Sequence, residues 1–139
     1  MDEGLQRFGV SMDSRLLGAF DDRIQAAGYT NRSEALRDMV RDYLVDHEWS
    51  SDEEVVGTVT LVYDHHTREL EQRLVEMQHD NAGAVICSTH VHLDPDHCLE
   101  VIIMRGKAGD IRGIAERLVG TRGVKHGRLT CTTTGRALV

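Results

Sequence analysis

Basic residues, cysteines, aromatic residues and long apolar runs are all scarce in this chain of 139 residues. Its 16 Lys and Arg face 23 Asp and Glu, for a net charge of −7, which argues against a broad basic surface that binds nucleic acid nonspecifically. The longest apolar runs are far too short to span a bilayer, and the first residues contain no signal-peptide core. We therefore expect no membrane partner.

The chain has only 3 cysteines, and they are widely spaced. This number is too small for a disulfide framework, and reduced thiols are typical of a cytoplasmic protein. Two of them, Cys87 and Cys131, are expected to be buried as small apolar side chains. Aromatic residues make up 4% of the chain, so the core is expected to be aliphatic.

A break in the hydrophobic periodicity over residues 47–53 predicts two domains, residues 1–50 and residues 54–134. The first domain has the pattern strand, helix, helix. The second has the order βαββαβ, which is typical of the split-βαβ, ferredoxin-like arrangement. We therefore predict an α+β protein. The arrangement alone says little about function, because many regulatory and catalytic domains share it.

The first domain contains a single strand that has one apolar and one polar face. Residues 5–12 alternate in polarity, a helix follows from Asp13 to about Gly28, and a second helix begins around Asn31. A unit of about 50 residues with one strand cannot close a core alone. The strand is therefore predicted to pair with the same strand of a second copy, which forms an antiparallel ribbon in an obligate dimer.

Such a ribbon fits the major groove of DNA, where its polar face would present Arg7, Gly9 and Ser11 to the bases. Backbone N–H groups at the start of the second helix would bind a phosphate. The residues at this helix start are Asn31, Arg32 and Ser33. A plain dimerisation strand is the alternative. The surplus of acidic over basic residues in the first domain favours that alternative, so DNA binding would have to be focused on one site.

Two histidines and a cysteine form the most informative motif of the sequence. His90 and His92 share one face of a predicted strand, because alternate strand residues point the same way. The turn at residues 94–96 brings Cys98 opposite them on the return strand. Two imidazoles and a thiolate suit Ni, Cu, Zn or Co, whereas Mg and Ca prefer oxygen. The pattern predicts a transition-metal site that lacks a fourth ligand; three unrelated residues are the alternative.

The residue pattern does not decide which of four other histidines supplies the fourth ligand. His97 is disfavoured, because a regular strand turns it away from Cys98. His79 ends a predicted helix far from the hairpin, so it would reach a neighbouring subunit's site more easily than its own. The remaining two, His65 and His66, are also candidate ligands under excess metal.

Three carboxylates have predicted roles near these motifs. Glu100, two residues beyond Cys98, is expected to accept a hydrogen bond from the ring N–H of a ligand histidine. Glu34 and Asp38 lie four residues apart on the second helix, where like charges repel weakly. Either local charges stabilise each of them, or the pair binds a hard cation that couples the two domains.

Taken together, these segments resemble the nickel-responsive transcriptional regulator family, NikR, over nearly the whole length of the chain. The segments that match are residues 7–11, 28–38, 78–79, 89–93, 96–100 and 122–127. The first two alone would indicate only a ribbon-helix-helix protein. The chain departs from some relatives, which have Thr in place of Gly9 and Ser11, or a histidine run after His79.

The resemblance implies a dimeric ribbon-helix-helix domain followed by an ACT-like βαββαβ domain that forms the core of a homotetramer, a dimer of dimers. It implies one Ni(II) per subunit, bound in a square-planar site by His90, His92 and Cys98 together with His79 of another subunit. It also implies that the ribbon residues Arg7, Gly9 and Ser11 contact operator double-stranded DNA, and that Glu34 and Asp38 help to hold the further cation.

The function that the resemblance implies is a nickel-dependent repressor of nickel uptake genes, in which nickel binding promotes operator binding. One alternative is a metal-independent ribbon-helix-helix regulator of the antitoxin kind. Another is an ACT-like sensor of an amino acid. A metalloenzyme is disfavoured, because protein ligands fill the predicted metal site and the sequence shows no general base beside it and no phosphate-binding loop.

Overall fold

The computed structural model describes residues 4–139 and divides into two compact units, Met1–Val40 and Arg41–Val139. The first unit contains helix α1 (Ser14–Ala26) and the beginning of helix α2 (Arg32–Ser50). The second contains the end of α2 and an α+β domain. The boundary between the units therefore falls inside a continuous helix.

Helix α1 ends as its sequence predicts. Gly28 has a φ of +91°, a left-handed conformation that glycine adopts without strain. Its N–H donates to the carbonyl of Gln25 at 3.1 Å, and the N–H of Tyr29 donates to that of Ile24 at 3.0 Å. These two bonds form a Schellman motif, which satisfies carbonyls that the helix end would otherwise leave unpaired.

Helix α2 begins directly after Asn31, whose Oδ1 accepts the backbone N–H of Glu34 at 2.9 Å. This bond confirms Asn31 as the N-cap. The carboxylate of Glu34 accepts the hydroxyl of Thr30 at 3.3 Å, so the helix start is held from two sides.

Residues 5–13 form neither a helix nor a strand within the single chain, since a ribbon strand needs a second strand for its ladder hydrogen bonds. The apolar side chains of the predicted strand are correspondingly exposed: Phe8 by 76% and Val10 by 65%. The pairing of two such strands therefore stays a prediction.

The break expected over residues 47–53 does not interrupt helix α2, which continues through Ser50. Trp49 is buried in the core of the second unit, and its Nε1–H donates to the carbonyl of Thr132 at 2.8 Å. The guanidinium of Arg112 lies 5.1 Å from the centre of the indole ring. A residue that the sequence places in a linker is thus a core residue.

The second unit is built on a four-stranded antiparallel sheet whose strand order is β2-β3-β1-β4. Its strands are β1 (Glu54–Asp64), β2 (Val85–His92), β3 (His97–Lys107) and β4 (Val124–Thr132), and its helices are α3 (Leu70–Asp80) and α4 (Ala108–Val119). The predicted βαββαβ order and the ferredoxin-like, ACT-like arrangement are confirmed.

One face of this sheet forms the core with α3 and α4. Burial alternates along β1 and β3, so that Tyr63 and Cys98 are buried while their neighbours are only partly buried. Cys87 and Cys131 are exposed, which corrects the expectation that both are buried. They lie on β2 and β4, the edge strands, where the core covers less of the side chain.

Candidate metal centre

The β2–β3 hairpin brings two histidines and a cysteine together on the helix-covered face of the sheet. His92 lies directly opposite Cys98 in the ladder, and His90 lies opposite Glu100. One ligand atom from each of His90, His92 and Cys98 lies within 4.8 Å of the other two. Among the described residues, 4–139, no other group of three or more His, Cys, Asp or Glu side chains is clustered in this way.

Charge and burial both act on the cysteine of this cluster. Burial raises the pKa of the Cys98 thiol, and the nearby carboxylates of Glu71 and Asp64 raise it further. Glu71 Oε1 also lies 3.9 Å from His90 Nε2. A cation at the cluster would therefore meet a favourable local field and displace the thiol proton.

The donor set fits a transition metal. Two imidazole nitrogens and one sulfur are borderline and soft ligands, which suit Ni(II), Cu(II), Zn(II) or Co(II) and not the hard cations Mg²⁺ and Ca²⁺. Cys98 is fully buried, whereas His90 and His92 are exposed. A further ligand can therefore approach from the histidine side.

Glu100 is buried beside this cluster, and both of its carboxylate oxygens are occupied. Tyr63 Oη donates to Oε1 at 2.9 Å, and Gln78 Nε2 donates to Oε2 at 2.7 Å. These two polar groups lie between β1 and the end of α3, where Glu100 points. Each carboxylate oxygen can accept a further hydrogen bond, so the expected bond from a ligand histidine stays a prediction.

The other four candidate histidines occupy different positions. His79 is exposed in the last turn of α3, next to Gln78, and is not part of the cluster of its own chain. His97 bonds to Asp94 at 3.0 Å and to Lys125 Nζ at 2.8 Å, away from Cys98. His65 and His66 follow β1, with their ring centroids 3.9 Å apart and their planes tilted by 41°.

The candidate DNA contacts lie in the first unit. Arg7, Gly9 and Ser11 are exposed, and a Cβ atom added at Gly9 would meet no atom within 4 Å. The guanidinium of Arg32 binds the carboxylate of Asp21 with two hydrogen bonds, of 2.8 and 2.7 Å, and lowers the pKa of that carboxyl group. Arg32 thus ties α2 to α1.

Three of the four other candidate residues of the first unit have described hydrogen-bond partners. Asn31 caps α2, and Ser33 is exposed in its first turn. Asp38 Oδ2 accepts the hydroxyl of Tyr29 at 2.6 Å, and Glu34 accepts that of Thr30. Among the described residues, Glu34 and Asp38 belong to no group of three or more clustered His, Cys, Asp or Glu side chains, and the cation between them stays a prediction.

Sequence reasoning did not single out Tyr63, Gln78 or Glu71, although each lies beside the cluster. A signal was present for Tyr63, since it is in phase with the buried side of β1 and a buried tyrosine hydroxyl needs a partner. Gln78 lies in the segment 78–79 that resembles the family, but its contact with Glu100 and the position of Glu71 depend on how α3 crosses the sheet.

Comparison with known families assigns both parts of the chain. Residues 6–46 match the family described as ribbon-helix-helix protein, copG family, and residues 56–132 match the NikR C terminal nickel binding domain. These matches define a DNA-binding protein of the ribbon-helix-helix class, whose ribbon-helix-helix domains dimerise and which has a nickel-binding domain attached. Over the described residues, no helix is long and apolar enough to cross a membrane.

Relatives in several organisms match nearly end to end, and each carries the name "Putative nickel-responsive regulator". The chain is 57% identical to the protein of Solibacter usitatus over 133 residues, 95% of this chain and 96% of that protein. It is 56% identical to that of Geobacter sulfurreducens, with the same coverage. The Thermococcus onnurineus protein is 52% identical, over 97% of this chain and 99% of its own. The chain belongs to the family of nickel-responsive regulators.

Among solved structures, an uncharacterized protein of Thermotoga maritima shares part of the fold. The TM-score is 0.50 at 11% sequence identity, over 57% of this chain and 98% of that one. At this level of identity, the likeness concerns the fold alone.

Proposed function

We propose that this chain is a nickel-responsive repressor, in which Ni(II) bound to the second unit promotes binding of the first unit to operator DNA. The observation that carries the proposal is the convergence of His90, His92 and Cys98 within 4.8 Å in a chain that also has a ribbon-helix-helix domain. The names of the relatives favour nickel as the metal.

Nickel would be held, one ion per subunit, by His90, His92 and Cys98 together with His79 of a neighbouring subunit. The exposure of both cluster histidines supports an external fourth ligand, and so does the position of His79 outside its own cluster. Three nitrogens and one sulfur in a square plane suit d⁸ nickel, whereas zinc prefers a tetrahedron. When bound, the ion would supply a link between subunits.

Within the chain, the cluster residues prepare the site. The buried carboxylate of Glu100 joins β3 to the last turn of α3 through Gln78, the residue before His79. This bond fixes the position of His79, the ligand offered to another subunit, relative to the ligands on the hairpin of its own subunit. We infer a homotetramer, built as a dimer of ribbon-helix-helix dimers, because the first units would pair through their ribbons and the donated ligand would join such pairs through their second units.

On DNA, the paired ribbons would place Arg7, Gly9 and Ser11 against base edges. The N-terminus of α2, at Asn31, Arg32 and Ser33, would bind phosphate through its backbone N–H groups. Nickel would favour the assembly in which both ribbon-helix-helix dimers bind their half-sites at the same time. The affinity for the operator then rises, because binding of the first dimer raises the effective concentration of the second at its half-site. By linkage, operator DNA would tighten nickel binding by the same factor.

Three further assignments belong to this proposal. The regulated genes would serve nickel uptake, since a repressor that binds DNA when nickel is abundant then limits further entry. The protein would act in the cytoplasm, where its operator lies, and not as an enzyme. Glu34 and Asp38 would help to hold a hard cation in the metal-loaded state.

The decisive experiment is a gel-shift titration on duplexes selected from a random pool with the nickel-loaded protein. Wild type should bind at least about tenfold more tightly with nickel than with a chelator, and Cys98→Ala should lose this difference. Cys131→Ala, which removes a thiol outside the cluster, is the matched control and should behave like wild type. Equal affinity of wild type with nickel and with chelator would contradict the proposal.

A further inference from the structure

His65 contacts both the turn of the metal hairpin and one of its ligands. Its backbone N–H donates to the carbonyl of Asp96 at 3.0 Å, and its ring Nε2 forms a hydrogen bond with the carbonyl of Pro95. The His65 ring also meets the His92 ring at 5.3 Å between centroids, with an angle of 86° between the planes. A residue at the end of β1 thus holds two parts of the β2–β3 hairpin.

The turn that His65 holds is already well ordered by its own hydrogen bonds. Asp94 Oδ1 accepts the backbone N–H groups of Asp96 and His97, both at 2.8 Å. This turn is the covalent link between His92 and Cys98, which also face each other in the β2–β3 ladder. Holding the turn from outside therefore helps the ladder to fix the separation of these two ligands.

The contact with His92 acts on the ligand ring itself. His92 Nδ1 lies 3.4 Å from Cys98 Sγ, so rotation of the imidazole would carry this nitrogen away from the sulfur. An edge-to-face contact between rings favours one orientation over others. The ring of His65 therefore opposes that rotation.

The same geometry argues that His65 is not itself a ligand through Nε2. A backbone carbonyl only accepts hydrogen bonds, so the ring nitrogen that meets the carbonyl of Pro95 must carry the proton. A nitrogen that donates a hydrogen bond has no lone pair to offer a metal ion.

We propose that His65 is a positioning residue of the metal centre: by holding the hairpin turn and the His92 ring, it preforms the cluster of His90, His92 and Cys98. This inference rests on the proposed function, metal binding at that cluster. His65 would raise the affinity of the cluster for the metal ion without being one of its ligands.

The test compares His65→Ala, His65→Gln and His66→Ala in the full-length protein. The glutamine amide can donate to the carbonyl of Pro95 in place of the imidazole, but it is not an imidazole ligand. His66→Ala is the matched control, because that ring also meets the carbonyl of Pro95, at 3.3 Å, but has no described contact with His92. Nickel affinity is measured by competition with a chelator, together with stoichiometry and the thiolate-to-nickel absorption band.

We expect His65→Ala to weaken nickel binding by about tenfold or more, the loss typical when a group that orients a ligand is removed. The absorption band and the stoichiometry should stay as in wild type. His65→Gln should recover most of the affinity, and His66→Ala should change it by less than about threefold. If His65→Ala fails to fold, His65→Leu takes its place, because leucine fills the space of the ring but cannot donate to the carbonyl of Pro95; it should lose about as much affinity as was expected of alanine.

Two results would overturn the inference: wild-type affinity in His65→Ala, or a shifted band in both His65 variants, which would make His65 a ligand. A wild-type protein that shows no thiolate-to-nickel band at all would instead overturn the proposed function. The failure of one is therefore distinguishable from the failure of the other.

Discussion

Cys98 lies directly opposite His92 in the β2–β3 ladder, with Cys98 Sγ 3.4 Å from His92 Nδ1. The register of two hydrogen-bonded strands therefore brings a sulfur and a nitrogen within reach of one metal ion. Cys98 is fully buried whereas His92 is exposed, so the pair faces the protein core on one side and solvent on the other. Such a preformed pair needs little rearrangement to bind an ion.

Replacing Cys98 by Ala should abolish the thiolate-to-nickel absorption band. Nickel affinity should fall by more than about a hundredfold, because losing a ligand costs more than losing a group that only orients one. The measurement is an absorbance titration with Ni(II), followed by competition with a chelator. Cys131→Ala and Cys87→Ala remove exposed thiols and should keep both the band and the affinity. A band that persists in Cys98→Ala would exclude Cys98 as a ligand.

His79→Ala and Cys98→Ala should complement each other in mixed assemblies. If His79 is donated between subunits, a pair with one variant of each kind contains one site with all four ligands. Each variant alone should show no band, and co-refolded mixtures should regain part of it. The control mixes His90→Ala with Cys98→Ala; each hairpin then lacks one of its own ligands, so this mixture contains no complete site and should show no recovery.

A matched pair of variants makes the same experiment sharper. A double variant, His79→Ala with Cys98→Ala in one chain, mixed with wild type can yield no complete site between the two kinds of subunit. Recovery in the single-variant mixture, together with a band in this one no larger than wild-type pairs alone supply, identifies a shared site. A band that is normal in His79→Ala alone would rule out the histidine as a ligand.

Nickel affinity should rise with pH across the neutral range. The pKa of the Cys98 thiol is raised, first by burial and then by nearby carboxylates, so the metal-free thiol holds its proton at neutral pH. Nickel binds the thiolate, and each ion must therefore displace this proton. The apparent affinity should increase about tenfold per pH unit while the thiol remains protonated, and it should level off above the thiol pKa.

Proton release on nickel binding provides a direct check on the predicted pH dependence of nickel affinity. A pH-indicator dye should report about one proton from Cys98 per nickel bound in wild type between pH 7 and 8. Cys98→Ala, loaded at high nickel concentration, should release about one proton fewer. An affinity that does not change over this pH range would mean that the thiol is already ionised before the metal binds.

Replacing Trp49 should destabilise the second unit in two distinguishable steps. Trp49→Phe keeps an aromatic ring but leaves the carbonyl of Thr132 without the indole N–H, at a cost of about 1 kcal/mol. Trp49→Ala also leaves a cavity in the core and should lower the free energy of unfolding by about 3–5 kcal/mol. Urea denaturation followed by circular dichroism measures both. Equal losses would mean that packing of the ring contributes little.

Local patterns predicted most of the secondary structure. The Asn31 cap, the Gly28 stop and the two strands around the 94–96 turn all follow from residue types at fixed spacing. Alternation along a strand also placed His90 and His92 on one face, and the short turn set Cys98 opposite them. These features depend on residues that are neighbours in the sequence, and they could therefore be predicted from it.

Where the prediction differed from the structure, the reason was packing between distant segments. Trp49 follows a polar, helix-ending pattern, but it enters the core because β1 lacks a side chain at Gly57: a Cβ atom there would lie 3.1 Å from the indole. Cys87 and Cys131 are apolar by type, but they are exposed because they lie on the edge strands. The residues of a strand do not by themselves predict whether it lies at the edge or in the centre of a sheet.

The sequence by itself determined the family, the order of helices and strands, and the three candidate metal ligands that the hairpin brings together. Only the tertiary structure decided that Glu100 is held by Tyr63 and Gln78, and that the ring of His65 rests against His92. The physical reason is that these contacts join β1, α3 and the hairpin, which lie apart along the chain. Their approach depends on the packing of the whole core, and no local pattern encodes it.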